Sequence, residues 1–227
     1  MVARAAWSPV RGRARKPGSV APARRVSRLE ATLRRIAHDL RDLGRHWAMV
    51  GALAVSARTE PRFTRDLDLA VLVSGDPDAE GLTHELQRRG YELAAIVEQE
   101  ATARLATARL VPREEGEAGI VIDLLFASSG IEPEIVSSAE RLTLFRDLQV
   151  PVATLGHLIA LKVLARDDTA RPQDRVDLVA LVRAAEPADL ARARDAASLI
   201  RQRGFHRGRD VSAELQQILR DCARRTS

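Results

Sequence analysis

The feature that most constrains this fold is a short apolar segment that begins with two aspartates. Residues 66–73 are Asp-Leu-Asp-Leu-Ala-Val-Leu-Val, and the turn-forming residues Ser-Gly-Asp-Pro follow them. An apolar run of this length that ends at a turn is typical of a buried β-strand. Because alternate side chains of a strand point to the same face, Asp66 and Asp68 should lie side by side, about 6 to 7 Å apart.

Two carboxylates on one face of a strand repel each other unless a cation lies between them or open water surrounds them. The pair alone therefore leaves two interpretations open. Asp66 and Asp68 are either surface acids at a solvated strand end or ligands that share a metal ion.

The segment upstream favours the metal interpretation. Residues 46–50 predict a short strand, and the small and apolar residues 51–57 predict a helix that begins at a glycine. The first turn of a helix has backbone N–H groups without intrahelical partners, and such groups bind phosphate. Gly51 and Ala52 are therefore predicted to bind the phosphates of a nucleotide next to the aspartate pair.

A third carboxylate lies in a second predicted strand. Residues 104–111 and 119–126 are strand-like runs joined by an acidic turn, which predicts a β-hairpin. Asp123 is the only polar residue among seven apolar ones in the second run. A desolvated charge without a partner costs several kcal/mol. We therefore expect Asp123 either to share a metal with Asp66 and Asp68 or to be paired with an arginine.

These segments resemble the nucleotidyltransferase superfamily, in which a Gly-small pair precedes Asp-x-Asp, and in particular the AbiEii-type toxin nucleotidyltransferases of bacterial toxin–antitoxin pairs. The resemblance covers roughly residues 45–182. It rests on Gly51-Ala52, on Arg-Phe-Thr-Arg-Asp-Leu-Asp at 62–68, on Leu-Ile-Ala-Leu-Lys at 158–162 and on Arg-Pro-Gln-Asp-Arg-Val-Asp-Leu at 171–178.

The resemblance implies an α/β (α+β) fold, in which a mixed-sheet nucleotidyltransferase domain is followed by a C-terminal helical domain. We predict a disordered basic tail over residues 1–26, the catalytic domain over residues 27–152, and a helical domain over residues 153–225 that completes the active site. Residues 141–152 predict one or two strands that carry the chain out of the catalytic layer.

The resemblance also implies a third carboxylate from a neighbouring strand, which Asp123 can supply. Two Mg²⁺ ions would then bind Asp66, Asp68 and Asp123, and a nucleoside triphosphate (NTP) would be the substrate. Ala52 occupies a position where the superfamily usually has Ser or Gly, so one side-chain hydrogen bond to phosphate is absent.

Two arginines flank the aspartate strand. Arg62 and Arg65 are either phosphate ligands or ordinary surface residues, and surface arginines are abundant in this chain. The sequence does not decide between these alternatives.

The second half of the chain contains a lysine in an unusual position. Residues 155–165 are apolar nearly all round, as in an interior helix, and Lys162 is their only charged residue. Of the 36 basic residues of the chain, only Lys16 and Lys162 are lysines. Lys162 is expected either to bind an anion such as a triphosphate or to reach the surface with its head group. His157, one turn earlier, is predicted to be structural.

The next predicted helix begins near Pro172 and carries Asp174 just above its apolar stripe, close to the expected position of Lys162. The resembling family has an inward lysine on one helix and, on the next, an Arg/Lys-x-x-Asp motif followed by Asp-Leu. Asp174 is therefore predicted to position Lys162 or the acceptor. The alternative is an acid that interacts only with the positive end of the helix dipole.

Charge and composition further narrow the class of protein to which this chain can belong. The first 28 residues hold eight basic groups and no acid, whereas the other 199 hold 28 basic and 31 acidic residues. The basic tail is either an arm for nucleic acid or an inert leader. With 45% apolar residues and no segment suited to a membrane span, we expect a soluble protein. The single cysteine, Cys222, suits the reducing cytoplasm.

The sequence therefore predicts a Mg²⁺-dependent enzyme that transfers a nucleotide to an acceptor. The resemblance alone supplies the 3′ end of a tRNA as acceptor and an antitoxin protein as partner. Two alternatives stay open: transfer to a small molecule such as an aminoglycoside, and a nucleotide- or RNA-binding module without catalysis. Two further predicted helices, at 187–203 and 209–225, carry arginines that could line an acceptor groove and argue against a cationic substrate.

Overall fold

The computed structural model describes residues 27–60, 64–99, 102–166 and 172–224. In these ranges the chain forms one seven-stranded mixed sheet and eight α-helices. The mixed α/β class that the sequence predicted is confirmed. The predicted tail at 1–26 and the residues Arg62 and Arg171 lie outside the described residues.

The sheet has its shortest strand, β1, near the middle and longer strands towards one edge. In chain order the strands are β1 (Trp47–Val50), β2 (Asp66–Val71), β3 (Tyr91–Gln99), β4 (Arg104–Pro112), β5 (Val121–Leu125), β6 (Glu140–Phe145) and β7 (Leu148–Val152). Their spatial order is β3-β4-β5-β2-β1-β7-β6. β2 is antiparallel to β1 and parallel to β5, and β1 is parallel to β7.

One helix precedes the first strand in the chain, three lie between strands, and four follow the last strand. They are α1 (Arg28–Asp42), α2 (Gly51–Arg58), α3 (Asp76–Arg88), α4 (Glu132–Ser137), α5 (Leu155–Ala165), α6 (Pro172–Ala184), α7 (Pro187–Gln202) and α8 (Val211–Arg224). α5 contacts α6, α7 and α8, and α2 contacts both α5 and α6. The C-terminal helices are thereby packed against the helix that follows β1.

α1 begins and ends at residues that suit the two ends of a helix. The Ser27 side chain accepts a hydrogen bond from the Glu30 N–H at 3.1 Å, which caps the helix. Leu33, Ile36 and Leu40 are fully buried, as their helical spacing predicts. Gly44 has φ +66° and ends the helix in the left-handed conformation that glycine adopts without strain.

The predicted hairpin is confirmed, and its turn is anchored to α1. β4 and β5 pair in antiparallel register, with Arg109 opposite Asp123. The acidic turn forms a 3₁₀ segment, Arg113–Ala118, that is interrupted at Gly116. The Glu115 carboxylate accepts hydrogen bonds from Thr32 Oγ1 at 3.0 Å and from the Ile120 N–H at 2.9 Å.

One expectation about the strands is wrong. β6 and β7 do not carry the chain out of the catalytic layer, because β7 pairs with β1 through Met49 and Val152 and β6 pairs with β7. The two strands extend the same sheet on the side away from β5. A local sequence pattern shows that a segment is a strand but does not show which strand will be its neighbour.

A membrane-crossing helix is not found in the described ranges, since no helix there is both long and apolar enough.

His157 is buried in α5, as expected for a structural residue. It is 4% exposed, and its Nδ1 is 3.0 Å from Thr154 Oγ1. Burial lowers the pKa of His157 to about 4, and the charge of Arg192 contributes in the same direction. The imidazole is therefore neutral in the folded protein under physiological conditions.

Acidification should destabilise the protein through His157. The folded-state pKa is about 4, whereas the pKa in an unfolded chain is about 6.5. The unfolded state therefore takes up the proton first, and the free energy of unfolding falls by roughly 3 kcal/mol as the pH drops from about 6.5 to about 4. Urea unfolding across this range should show a smaller loss for His157→Asn than for the wild type. An equal loss in both proteins would contradict the assignment.

Candidate active site

Three aspartates project from one face of the sheet. The register of the parallel strands β2 and β5 pairs Asp68 with Asp123 and Asp66 with Val121. Register partners on neighbouring strands point to the same face, and so do residues two apart on one strand. Asp66, Asp68 and Asp123 are therefore neighbours in the fold, and we call them the aspartate cluster.

Asp68 interacts with every part of the site. It is half-buried, and burial raises the pKa of its carboxyl to about 6. The negative charges of Asp123 and Asp66 raise this pKa further, whereas the positive charge of Lys162 and the N–H of Ala52 lower it. The Asp68 carboxyl therefore interacts with charged side chains of β2, β5 and α5 and with the backbone at the start of α2.

The start of α2 lies directly against Asp68. Gly51 has φ +65°, and a Cβ at this position would lie 1.9 Å from Oδ2 of Asp68. Both the conformation and the space require glycine. The backbone N–H of Ala52 is close enough to the Asp68 carboxylate to lower its pKa. The N–H groups predicted to bind phosphate thus lie beside the aspartate pair.

Asp123 is paired with an arginine. Arg109 of β4 donates from Nε and Nη2 to the two carboxylate oxygens of Asp123, each at 2.8 Å. The side chain of Asp123 is 13% exposed and that of Arg109 is 50% exposed. This hydrogen bonding raises the pKa of Arg109, and the charges of Asp123, Asp66 and Asp68 contribute. The arginine partner that the sequence left open as an alternative for Asp123 is therefore present.

The aspartate cluster has the donor chemistry of a divalent cation site. Carboxylate oxygens are the ligands that Mg²⁺ prefers in proteins, and Asp68 and Asp123 are direct neighbours across two strands. Among the described residues, however, no three His, Cys, Asp or Glu side chains are grouped closely enough to hold a metal. The carboxylates are instead directed at internal partners, Asp68 at Ala52 and Asp123 at Arg109.

Lys162 lies between two acids of the next helix. Its Nζ is 2.7 Å from Asp174 Oδ1 and 2.9 Å from Asp177 Oδ2. The three side chains are 14%, 9% and 3% exposed, respectively. The structure thus brings Lys162 and Asp174 together as the sequence predicted, and it adds Asp177 as a second partner. The positive charge of Lys162 also lowers the pKa of Asp68.

The remaining predicted residues lie at the margin of the site. Arg65 is exposed and directly precedes β2. Of the arginines expected to line an acceptor groove, Arg203 forms an ion pair with Glu134 at 2.6 Å, and Arg209 binds the carbonyl oxygen of Leu164 at 3.0 Å. Arg203 thus joins the end of α7 to α4, and Arg209 binds the last turn of α5, which weakens the expectation of a basic acceptor groove.

A large cavity of about 1120 Å³ lies elsewhere, between α1, the start of β1 and the β6–β7 hairpin. Trp47 lines it, at the opposite end of β1 from Gly51. None of the three aspartates lines the cavity, and neither does Lys162. It is therefore separate from the candidate active site.

Residues 34–225 match the protein family described as "Nucleotidyl transferase AbiEii toxin, Type IV TA system". The chain belongs to the AbiEii nucleotidyl transferase toxin family. The resemblance seen in the Gly51-Ala52 and Asp66-Leu67-Asp68 motifs is thereby confirmed. Membership of this family makes the chain a nucleotidyltransferase by class and implies a nucleotide substrate and an antitoxin partner.

Three solved structures show similarity to this AbiEii family member at low identity. An antigenic nucleotidyltransferase-like protein from Paracoccidioides brasiliensis has a TM-score of 0.49 at 19% identity, with 83% of this chain and 92% of that chain covered. The lincosamide antibiotic adenylyltransferase LnuA, with lincomycin bound, has 0.43 at 13%, with 69% and 98% covered. The antibiotic-resistance factor ANT(2'')-Ia has 0.43 at 13%, with 86% and 91% covered. No curated protein matches the chain.

The sequence did not identify Arg109 as a site residue and gave Asp177 no role of its own, but both left a signal. Arg109 and Asp123 each lie seven residues from Gly116, the centre of the predicted turn, so symmetric pairing of the hairpin places them opposite each other. Asp177 follows Asp174 by three residues and therefore lies on the same face of α6. Assigning Arg109 to the site requires the hairpin register to be known. Assigning Asp177 requires knowing that α5 faces α6.

Gly51→Ala should destabilise the protein more than Gly44→Ala. Both glycines have φ near +65°, but a Cβ at Gly44 has nothing within 4 Å, whereas one at Gly51 would overlap the Asp68 carboxylate. Gly44→Ala should cost about 1 kcal/mol of unfolding free energy from backbone strain alone. Gly51→Ala should cost on the order of 3 kcal/mol. Thermal or urea unfolding measures both, and equal losses would show that Asp68 does not press against this backbone.

Lys162→Met should be strongly destabilising, because it removes the cation that lies between the buried carboxylates of Asp174 and Asp177. Removing one partner of a buried ion pair costs about 3 kcal/mol or more. Arg88→Met is the matched control, since Arg88 forms a surface pair with Glu85 and its side chain is 78% exposed. That control should lose less than about 1 kcal/mol in urea unfolding. Similar losses in the two variants would contradict the buried arrangement.

Proposed function

We propose that this AbiEii family member transfers a nucleotide from an NTP to the 3′ end of a tRNA, in a reaction that depends on a divalent metal. It would act as the toxin of a toxin–antitoxin pair. The observation that carries the proposal is the placement of Asp66, Asp68 and Asp123 on neighbouring strands, with Asp68 lying against the start of α2. Family membership supports nucleotidyl transfer. The tRNA acceptor rests on the resemblance alone.

The aspartate cluster is the proposed site for two Mg²⁺ ions. Bound there, Mg²⁺ acts as a Lewis acid that offsets charge on the reacting phosphate and on the attacking oxygen. Asp66 and Asp68 supply ligands from β2, and Asp123 supplies one from β5. Asp123 is also the residue that we place closest to the acceptor hydroxyl.

The nucleotide is proposed to bind between the start of α2 and α5. The N–H groups at Gly51 and Ala52 would hold the β- and γ-phosphates, and Arg65 would contribute from the edge of β2. Lys162 would offset the charge of the triphosphate, and Asp174 would hold the lysine in position. The 2.7 Å contact between Lys162 and Asp174 supports this role.

The proposed site draws on both parts of the chain. The catalytic domain at residues 27–152 contributes the carboxylates and the start of α2, and the helical domain at 153–225 contributes Lys162 and Asp174. The contacts of α2 with α5 and α6 support a site that the two parts share.

Incubation with α-labelled NTPs, Mg²⁺ and total tRNA tests the proposal. We expect label at the tRNA 3′ end. Asp68→Asn and Asp123→Asn should each lower the rate by about 100-fold or more, because each removes a ligand charge from the reacting centre. Asp76→Asn is the matched control, since Asp76 pairs with Arg104 outside the cluster, and it should retain activity.

The other outcomes separate the alternatives. Label on an aminoglycoside and none on RNA would replace the tRNA acceptor by a small molecule. NTP binding without transfer to any acceptor would indicate a binding module. Equal activity in the wild type and in Asp68→Asn would refute the assignment of the aspartate cluster as the catalytic site.

A further inference from the structure

We infer that Arg109 is the resident cation of the aspartate cluster, and that a divalent metal must displace its guanidinium from Asp123 in order to bind. The inference deepens the proposed function and rests on it, because it takes Asp123 as a metal ligand. It assigns Arg109 as a positioning residue that controls when the third carboxylate becomes a ligand.

The geometry of the pair is that of a full bidentate contact. The guanidinium uses two nitrogens on the two oxygens of Asp123, both at 2.8 Å. A planar guanidinium matches a carboxylate in this way, and such pairs are among the stronger hydrogen-bonded contacts in proteins. Arg109 also lies within electrostatic reach of Asp66 and Asp68. One guanidinium thus neutralises part of the charge of all three acids.

The charges around the cluster show why this cation matters. Three carboxylates close together disfavour one another's charged form unless a positive charge is near. Lys162 also reaches Asp68, but its ammonium is shared by Asp174 and Asp177, whose two negative charges exceed its own. Arg109 has its bidentate contact within the cluster itself.

A metal ion and the intact pair compete for the same oxygens. A divalent ion bound to either oxygen of Asp123 lies beside the guanidinium, and two positive charges at that separation repel each other. The ion can bind Asp123 well only if the guanidinium moves away. The pair is therefore a block to metal binding in the resting protein.

Arg109 can move without disturbing the sheet. Its side chain is 50% exposed, so the guanidinium borders solvent. The backbone of β4 is hydrogen bonded on both sides, to β3 and to β5, and stays in place when the side chain turns. The rearrangement is thus a change of side-chain rotamer.

Binding of Mn²⁺ to the full-length protein without nucleotide tests the inference, with free Mn²⁺ followed by electron paramagnetic resonance. Arg109→Gln should bind Mn²⁺ at least about tenfold more tightly than the wild type, which corresponds to about 1.4 kcal/mol. Arg104→Gln is the matched control, because Arg104 lies on the same strand and pairs with Asp76 at 2.7 Å, outside the cluster. That control should bind Mn²⁺ as the wild type does.

A second measurement distinguishes a change in metal binding from a folding defect of the variant. Without metal, Arg109→Gln should melt at a lower temperature than the wild type, since the aspartate cluster has lost its cation. Saturating Mn²⁺ should raise the melting temperature of Arg109→Gln more than that of the wild type. Arg109→Lys, which keeps the charge but not the bidentate geometry, should show an intermediate Mn²⁺ affinity.

Three results would overturn the inference. The first is equal Mn²⁺ affinity in Arg109→Gln and the wild type. The second is a gain in Mn²⁺ affinity that persists after Asp123→Asn is added. The third is no Mn²⁺ binding by either protein. The first shows that Arg109 does not compete with the metal, the second places the competition away from Asp123, and the third also removes the proposed metal site. Tighter Mn²⁺ binding without nucleotide transfer to any acceptor would sustain the inference and refute the proposed reaction.

Discussion

Repulsion among three carboxylates on neighbouring strands is the constraint on which the rest of the site depends. Asp68 and Asp123 face each other across β2 and β5, and Asp66 lies two residues away on the same face. Such a cluster is stable only with compensating contacts. The chain supplies them from three elements: an N–H of α2, a guanidinium of β4 and the more distant ammonium of α5. The position of each element is therefore tied to the charge of the cluster.

The internal partners are of the kinds that the proposed ligands would replace. Ala52 gives Asp68 an N–H that a phosphate would otherwise accept, and Arg109 gives Asp123 a positive charge that a metal would otherwise supply. Lys162 is similarly held by two carboxylates. Ligands would thus exchange one set of charge pairs for another, which limits the cost of keeping charged groups in a partly buried site.

Gly51 is important both for the stability of the fold and for the geometry of the site. The strand β1 ends and α2 begins at this residue, and its φ of +65° turns the chain so that Asp68 can lie against the backbone. The helix that starts there contacts α5 and α6, which carry Lys162 and the acids that hold it. A single glycine therefore joins the sheet, the aspartate cluster and the C-terminal helices.

The local sequence pattern determined much of the secondary structure of this protein. The spacing of apolar residues placed α1, β2 and the β4–β5 hairpin, and the two-residue period put Asp66 and Asp68 on one face. The resemblance implied that the third carboxylate comes from a neighbouring strand. The structure alone decided that Asp123 lies opposite Asp68 and that β7 joins β1. These contacts join segments that are far apart in the chain, and long-range packing selects them. A local pattern carries the period of a strand but not the identity of its neighbour.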